Sequence, residues 1–197
     1  MNKLNQEISI IMPCFNKPDL LKKSIKSILN QTHRYFEFII VDDCSDFNTK
    51  NILEEYKKKD SRIKLYFNKI NRGPSYTFNR GLYLSKNNYI ARMDSDDISH
   101  PNRIEKQLDY LNKNPKVFAV GTGANLIDKN DKLIRTLYLK ENDKEIVENL
   151  KFTNPLINSS FMANTNKETK KLLYLKKIFY PADDYYSWYR IIKKDYK

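Results

Sequence analysis

The stretch Tyr89-Ile90-Ala91-Arg92-Met93-Asp94-Ser95-Asp96-Asp97 decides how this chain is read. Tyr89 to Met93 has the length and bulky apolar content of a strand, and it ends abruptly in a run of carboxylates. The same layout lies upstream. Phe36 to Val41 is an apolar run closed by Asp42-Asp43, and Ile8 to Met12 is another, rich in β-branched residues and closed by Pro13. Ile63 to Phe67 reads as a further strand. Between these runs the period changes: Leu20, Leu21, Ile25, Ile28 and Leu29 recur at helical spacing after Pro18-Asp19. Ile52 to Lys58 also reads as a helix, and a turn at Asn71-Arg72-Gly73-Pro74 leads into a helix over Ser75 to Ser85. Alternation of this kind predicts an α/β fold, a mostly parallel sheet with helices on both faces. Such sheets bind ligands beyond the carboxyl ends of their strands. Asp42-Asp43 and Asp94 to Asp97 are therefore expected to open onto one crevice.

Downstream, a helix is predicted from Pro101 through Leu111, with Ile104, Leu108 and Leu111 on one face, then an apolar run from Val117 to Val120. Residues 124 to 153 are charged; a strand around Leu133 to Leu139 and a helix around Glu145 to Phe152 are the assignable parts. No repeat or linker interrupts the chain. Its 197 residues, 40% hydrophobic, suit one domain with a real core. The 14 Tyr and 10 Phe argue against disorder. The formal charge of +12 would favour anionic lipid headgroups or phosphorylated substrates. The lysines are scattered rather than gathered in one tract, so no nucleic acid partner is expected. Cys14 and Cys44 each adjoin an apolar run, which suits reduced thiols. The start of the chain is polar, and no apolar stretch approaches the roughly 18 to 20 residues of a membrane span. The expectation is a cytoplasmic chain, with peripheral contact to an anionic membrane as a further option.

The carboxylates of Asp94, Asp96 and Asp97 would repel one another if packed together, and a hard divalent cation, Mg²⁺ or Mn²⁺, would relieve that repulsion. Such an ion binds through one or two carboxylates plus substrate phosphates. The structural alternative is that Asp97 caps the helix that follows. His33 and His100 read as structural.

Four segments in order, Ile8 to Asn16 (Ile-Ser-Ile-Ile-Met-Pro-Cys-Phe-Asn), Ser27-Ile-Leu-Asn-Gln-Thr32, Val41-Asp-Asp-Cys-Ser45 and Asp94-Ser-Asp-Asp97, resemble a family 2 glycosyltransferase of the Rossmann-like GT-A fold. The resemblance covers residues 7–123 and resumes near Asn154 and Asp183. It implies one domain over 1–197, with a nucleotide-sugar-binding part (7–123) and an acceptor-side part (124–197). It further implies that Pro13 and Phe15 line the base and ribose pocket and that Asp43 accepts a hydrogen bond from the base. Asp94 is expected near the ribose or sugar together with Ser95, and Asp96, with Asp97 as the alternative, on the metal. Arg72 would pair with the diphosphate. Bland readings stand beside these: Phe15 in the core, Asp43 as a helix cap, Arg72 as a solvated turn residue.

The family usually carries Arg-Asn where this chain has Phe78-Asn79-Arg80. Arg80 lies about 200° farther round a helix and cannot simply substitute. Asn154-Pro-Leu-Ile-Asn-Ser-Ser160 is similar to the acceptor-side segment, with Asn158 where a histidine is common. Tyr180-Pro-Ala-Asp-Asp-Tyr-Tyr-Ser-Trp188 is similar to the segment that supplies the base of inverting members: Asp184 matches the base, and Asp183 replaces the usual Glu. Trp188 is either core or an acceptor platform. Many relatives continue well past this tryptophan, so the acceptor-side part is expected to be minimal or truncated. The implied reaction is inverting transfer from a nucleotide sugar, with UDP favoured, to a hydroxyl of a glycan, lipid-linked saccharide or protein. The alternatives are a relative that binds nucleotide sugar without turnover, and a basic nucleic-acid-binding domain.

Overall fold

Ile8, Ile10, Ile11 and Met12 have no exposed surface at all, which is possible only in a strand covered on both faces. In the computed structural model, which describes residues 6–194, that strand is β1 (Ile8–Cys14), at the centre of a six-stranded sheet. The first half follows the alternation legible in the sequence: α1 (Pro18–Leu29), β2 (Phe36–Asp42), α2 (Phe47–Lys59), β3 (Ile63–Phe67), α3 (Pro74–Leu84), β4 (Tyr89–Arg92) and α4 (Arg103–Lys113). β1 to β4 are mutually parallel. Thereafter come β5 (Ala119–Val120), β6 (Ala124–Ile127), β7 (Leu133–Leu137), α5 (Asp143–Asn149), β8 (Met162–Asn164) and α6 (Asp183–Ile192).

The strand order is β3-β2-β1-β4-β8-β5. β8 runs antiparallel to both β4 and β5, so the last strand in the chain is inserted beside the first parallel block. Two differences from the sequence-based expectation follow. The Val117 to Val120 run yields a strand of only Ala119–Val120, and Leu133–Leu137 pairs with Ala124–Ile127 in a separate two-stranded ribbon rather than joining the sheet.

Side chains alternate across the sheet and build a core on each face. Ile8, Ile10 and Met12 pack with Leu21, Ile25 and Ile28 of α1 and Ile104 and Leu108 of α4. Ile11 and Ile90 face the other way, onto Phe78, Leu82, Phe161 and Trp188. Each such side chain contributes about 1.5–3 kcal/mol by burial. On that second face α3 lies so close to β1 that a Cβ at Gly81 would come within 2.4 Å of Ile11 Cγ2. Only glycine allows that approach. No helix among the described residues is long and apolar enough to cross a membrane.

Candidate functional site

β1 and β2 end level with one another, Cys14 pairing with Asp42, while β4 stops three residues earlier, Arg92 pairing with Ile11. Beyond their carboxyl ends opens a cleft of about 390 Å³ lined by Pro13, Cys14, Phe15, Lys17, Asp43, Asn71, Gly73, Pro74, Thr77, Arg92, Asp94, Ser95 and Asp96. Phe15 is 44% exposed at its mouth, a place for a stacking surface and not for a core residue. Arg72, expected to pair with a diphosphate, does not line the cleft: its guanidinium lies 4.5 Å from the ring centroid of Tyr76, while its neighbours Asn71 and Gly73 form the wall.

Asp43 is buried and clasps that wall. Its carboxylate accepts hydrogen bonds from the backbone N–H of Arg72 (2.9 and 3.1 Å) and Gly73 (2.7 Å) and from Asn68 Nδ2 (2.6 Å). Gly73 has φ +85°, which turns its N–H toward Asp43 just before α3 begins. The helix-cap reading of Asp43 is corrected: α2 is capped by Asp46, whose side chain accepts from Thr49 N at 2.8 Å. Arg80 donates to the Phe67 carbonyl and to Asn68 Oδ1, both at 2.6 Å, and so braces the end of β3 rather than facing the cleft.

The three carboxylates after β4 each face a cation of the chain itself. Arg92 Nε contacts Asp94 at 3.0 Å, and Lys17 Nζ contacts Asp96 at 3.1 Å. Asp97 lies in the field of Arg103; desolvation pushes its carboxyl above the ordinary range, helped by Asp94 and Asp96, while Ser159 and Arg103 pull the other way. Burial lowers the Arg103 guanidinium to about 10, so it stays charged at neutral pH. Lys17, Arg92 and Arg103 thus offset the repulsion among these carboxylates, so that repulsion by itself does not require a divalent ion. Nor does Asp97 cap α4, whose N-cap is Asn102. Among the described residues no group of three or more His, Cys, Asp or Glu gathers into a metal cage. Of the two expected metal ligands, Asp96 lines the cleft and Asp97 stands outside the lining.

Ser24 of α1 and the Ser27–Thr32 motif that follows it hold the segment between β4 and the start of α4. Ser24 Oγ donates to the Ser95 and Asp97 carbonyls at 2.9 and 2.5 Å. Ser27 Oγ accepts from Ser99 N at 3.0 Å. Gln31, fully buried, donates to the His100 carbonyl at 2.8 Å and accepts from Ile104 N at 3.1 Å. The Ser24 bonds fix the backbone of the acidic loop, and those of Ser27 and Gln31 fix the stretch from it into α4. Nothing local in the motif announces this job, because its partners lie far along the chain. His33 is spent on the Gln6 and Tyr35 carbonyls, and His100 on Asn102, so both are structural.

Asp184, the expected base, stands in the first turn of α6, half-buried, accepting from Asn154 Nδ2 at 3.0 Å and Tyr185 N at 2.7 Å. Asp183 is buried and accepts from Ser75 Oγ, which ties the start of α6 to the start of α3, next to Pro74 of the cleft. Asp184 itself does not line the cleft. Asn158 opens a half-buried 3₁₀ turn, Asn158–Ser160, also outside the lining. Trp188 is 4% exposed and packs edge-on to Phe161 at 5.1 Å. Its role as an acceptor platform is corrected to one in the core.

The two thiols are not equivalent. Cys14 is buried in the cleft wall, and desolvation, reinforced by Asp42, pushes its pKa up to about 12; Cys44 is half-buried. Since the thiolate is the reactive form, a thiol reagent at pH 8 should label Cys44 in the native protein and reach Cys14 only on unfolding. Peptide mapping checks this, and rapid native labelling of Cys14 would overturn it.

A mostly parallel sheet with an aromatic and acidic cleft at its strand ends places the molecule in the GT-A class of α/β domains. The family is then specific: the Glycosyl transferase family 2 profile matches residues 9–173, and the chain belongs to that family. It is 33% identical over 192 residues to an uncharacterized glycosyltransferase of Methanocaldococcus jannaschii, across 96% of this chain and 66% of that protein. Its fold is similar to that of a Pyrobaculum calidifontis mannosyltransferase solved with GDP-Man and Mn²⁺, with a TM-score of 0.72 at 16% identity over 96% of this chain and 53% of that one. It is also similar to Staphylococcus aureus TarS solved with UDP-GlcNAc, with a TM-score of 0.67 at 20% identity over 92% and 52% of the respective chains. At such identities the likeness is one of fold. The chain spans about half to two thirds of the lengths of these proteins.

Proposed function

We propose that this chain transfers a hexose or N-acetylhexosamine from a nucleoside diphosphate sugar, with UDP favoured, to a hydroxyl of a glycan, lipid-linked saccharide or protein, with inversion. The observation that carries this reading is the convergence of Pro13, Phe15, Asp43, Asp94, Ser95 and Asp96 in one cleft at the carboxyl ends of β1, β2 and β4. Complexes of the fold relatives with GDP-Man and with UDP-GlcNAc support the donor class.

Phe15 stacks on the base. Asp43 holds the Asn71–Gly73 turn through Arg72 N and Gly73 N, with Asn68 Nδ2 as a third donor, and a base N–H takes the place of the longer Arg72 contact at 3.1 Å. Arg72, carried on that turn, reaches the diphosphate when its side chain leaves Tyr76. Asp94 and Asp96 offer hard oxygen ligands in a partly exposed setting, and Mg²⁺ or Mn²⁺ needs only one or two such carboxylates when phosphates complete its shell. The residues therefore fit a divalent ion bound together with the donor, held by Asp96 once Lys17 releases it, with Asp97 as the alternative ligand. When bound, the ion neutralises charge on the departing nucleoside diphosphate.

Asp184 takes the proton of the attacking hydroxyl as that oxygen bonds to the anomeric carbon and the bond to the diphosphate breaks. Asn154 holds the carboxylate by one oxygen. Asn158 and the buried Asp183 shape the acceptor side.

Calorimetric titration with UDP and GDP, with and without Mn²⁺, tests the donor reading. Binding that requires Mn²⁺ and is lost in Asp96→Ala is the expected result. A folded chain that binds neither nucleotide would sink it.

A further inference from the structure

Arg92 ends β4, and its guanidinium is a buried cation on the cleft wall, 6% exposed. Nε donates to Asp94 Oδ1 at 3.0 Å, and the group lies 4.8 Å from the ring centroid of Phe78. The remaining nitrogens have no hydrogen-bond partner among the described residues, and Nη1 is buried without one. Leaving charged donors unpaired in a dry setting is expensive, and such a group calls for a role. A ring face and one carboxylate contact answer only part of a fork that carries five N–H groups.

Position says what completes it. β1 lies between β2 and β4, so Arg92 and Asp43 stand on opposite sides of the central strand. A nucleoside seated against Asp43 and Phe15 would direct its far end toward Arg92 and Asp94. That end is rich in acceptor oxygens, and the pair offers N–H donors next to a carboxylate acceptor, complementary to phosphate oxygen or sugar hydroxyl. Resting on the donor reading above, we infer that Arg92 is a donor-binding residue whose guanidinium is completed by an oxygen at the diphosphate–sugar end of the nucleotide sugar.

The test compares wild type, Arg92→Met and Arg92→Lys by calorimetry in Mn²⁺, with UMP, UDP and UDP-GlcNAc, or with GMP, GDP and GDP-mannose if wild type binds the guanosine series. Thermal melts establish that each variant is folded; if Arg92→Met does not fold, Arg92→Lys, which keeps the charge, decides. The expected result is a loss of about tenfold or more for the nucleotide sugar with monophosphate affinity unchanged. A parallel loss for the diphosphate assigns the contact to phosphate, and an unchanged diphosphate assigns it to the sugar. Equal affinities in all three proteins would overturn the inference while leaving the donor site intact. A loss that includes the monophosphate would overturn it in favour of a purely structural role in holding Asp94. Failure of wild type to bind any of these ligands would overturn the donor reading and this one with it.

Discussion

Asp184→Asn should lower sugar transfer by about 10²- to 10⁴-fold, the usual worth of a positioned general base, while nucleoside diphosphate affinity stays at the wild-type level. The argument is geometric. Asp184 lies outside the cleft lining and follows Asp183, which Ser75 ties to the start of α3. An amide there still accepts one of the two hydrogen bonds now donated by Asn154 and Tyr185 N, so the helix end persists. What disappears is a group able to take a proton. Transfer kinetics paired with a diphosphate titration read the two effects separately. A variant that keeps wild-type turnover would remove Asp184 from the chemistry, and a variant that loses nucleotide binding would place it in the donor site instead.

Asp43→Ala should do the reverse, abolishing nucleotide binding through a structural loss. Arg72 N, Gly73 N and Asn68 Nδ2 all converge on this one buried carboxylate. Hydrogen bonds to a charged acceptor contribute about 1.5–3 kcal/mol each. Water entering the vacated space would recover part of that, so a net destabilisation of about 3 kcal/mol is expected. The Asn71–Gly73 wall would open at the same time. Chemical denaturation gives the first number and nucleotide titration the second. An unchanged midpoint would mean that the clasp is dispensable, and retained binding would mean that the wall does not depend on it.

Much of this was legible in the residues. β1 to β4 and the helices between them announce themselves because each apolar run has one period and a clear stop, and because Asp43 and Asp94 to Asp97 fall at those stops. β8 was not legible: Met162–Asn164 is too short to carry a period, and it is a strand only because β4 and β5 flank it. The ribbon of β6 and β7 was half visible, since Leu133–Leu137 is apolar enough to notice while Ala124–Ile127 gives no stop signal. The partners of the acidic loop were hidden for a different reason. In a chain with 36 Lys and Arg, nothing local distinguishes Lys17, Arg92 and Arg103 from solvated charges. Trp188 was ambiguous by nature, because a large amphipathic side chain suits core and surface alike until its burial is known.

The insertion of β8 beside β4 also sets an order of events during synthesis. A nascent chain that has emerged as far as Lys113 holds the parallel block and every residue that lines the cleft, yet the outer edge of β4 has no neighbour until Asn164 has left the ribosome. An unpaired edge on a growing polypeptide invites association with other chains. The cleft is thus made first but must wait for β8 to seal the sheet beside it, and premature termination between the two would release a sticky intermediate.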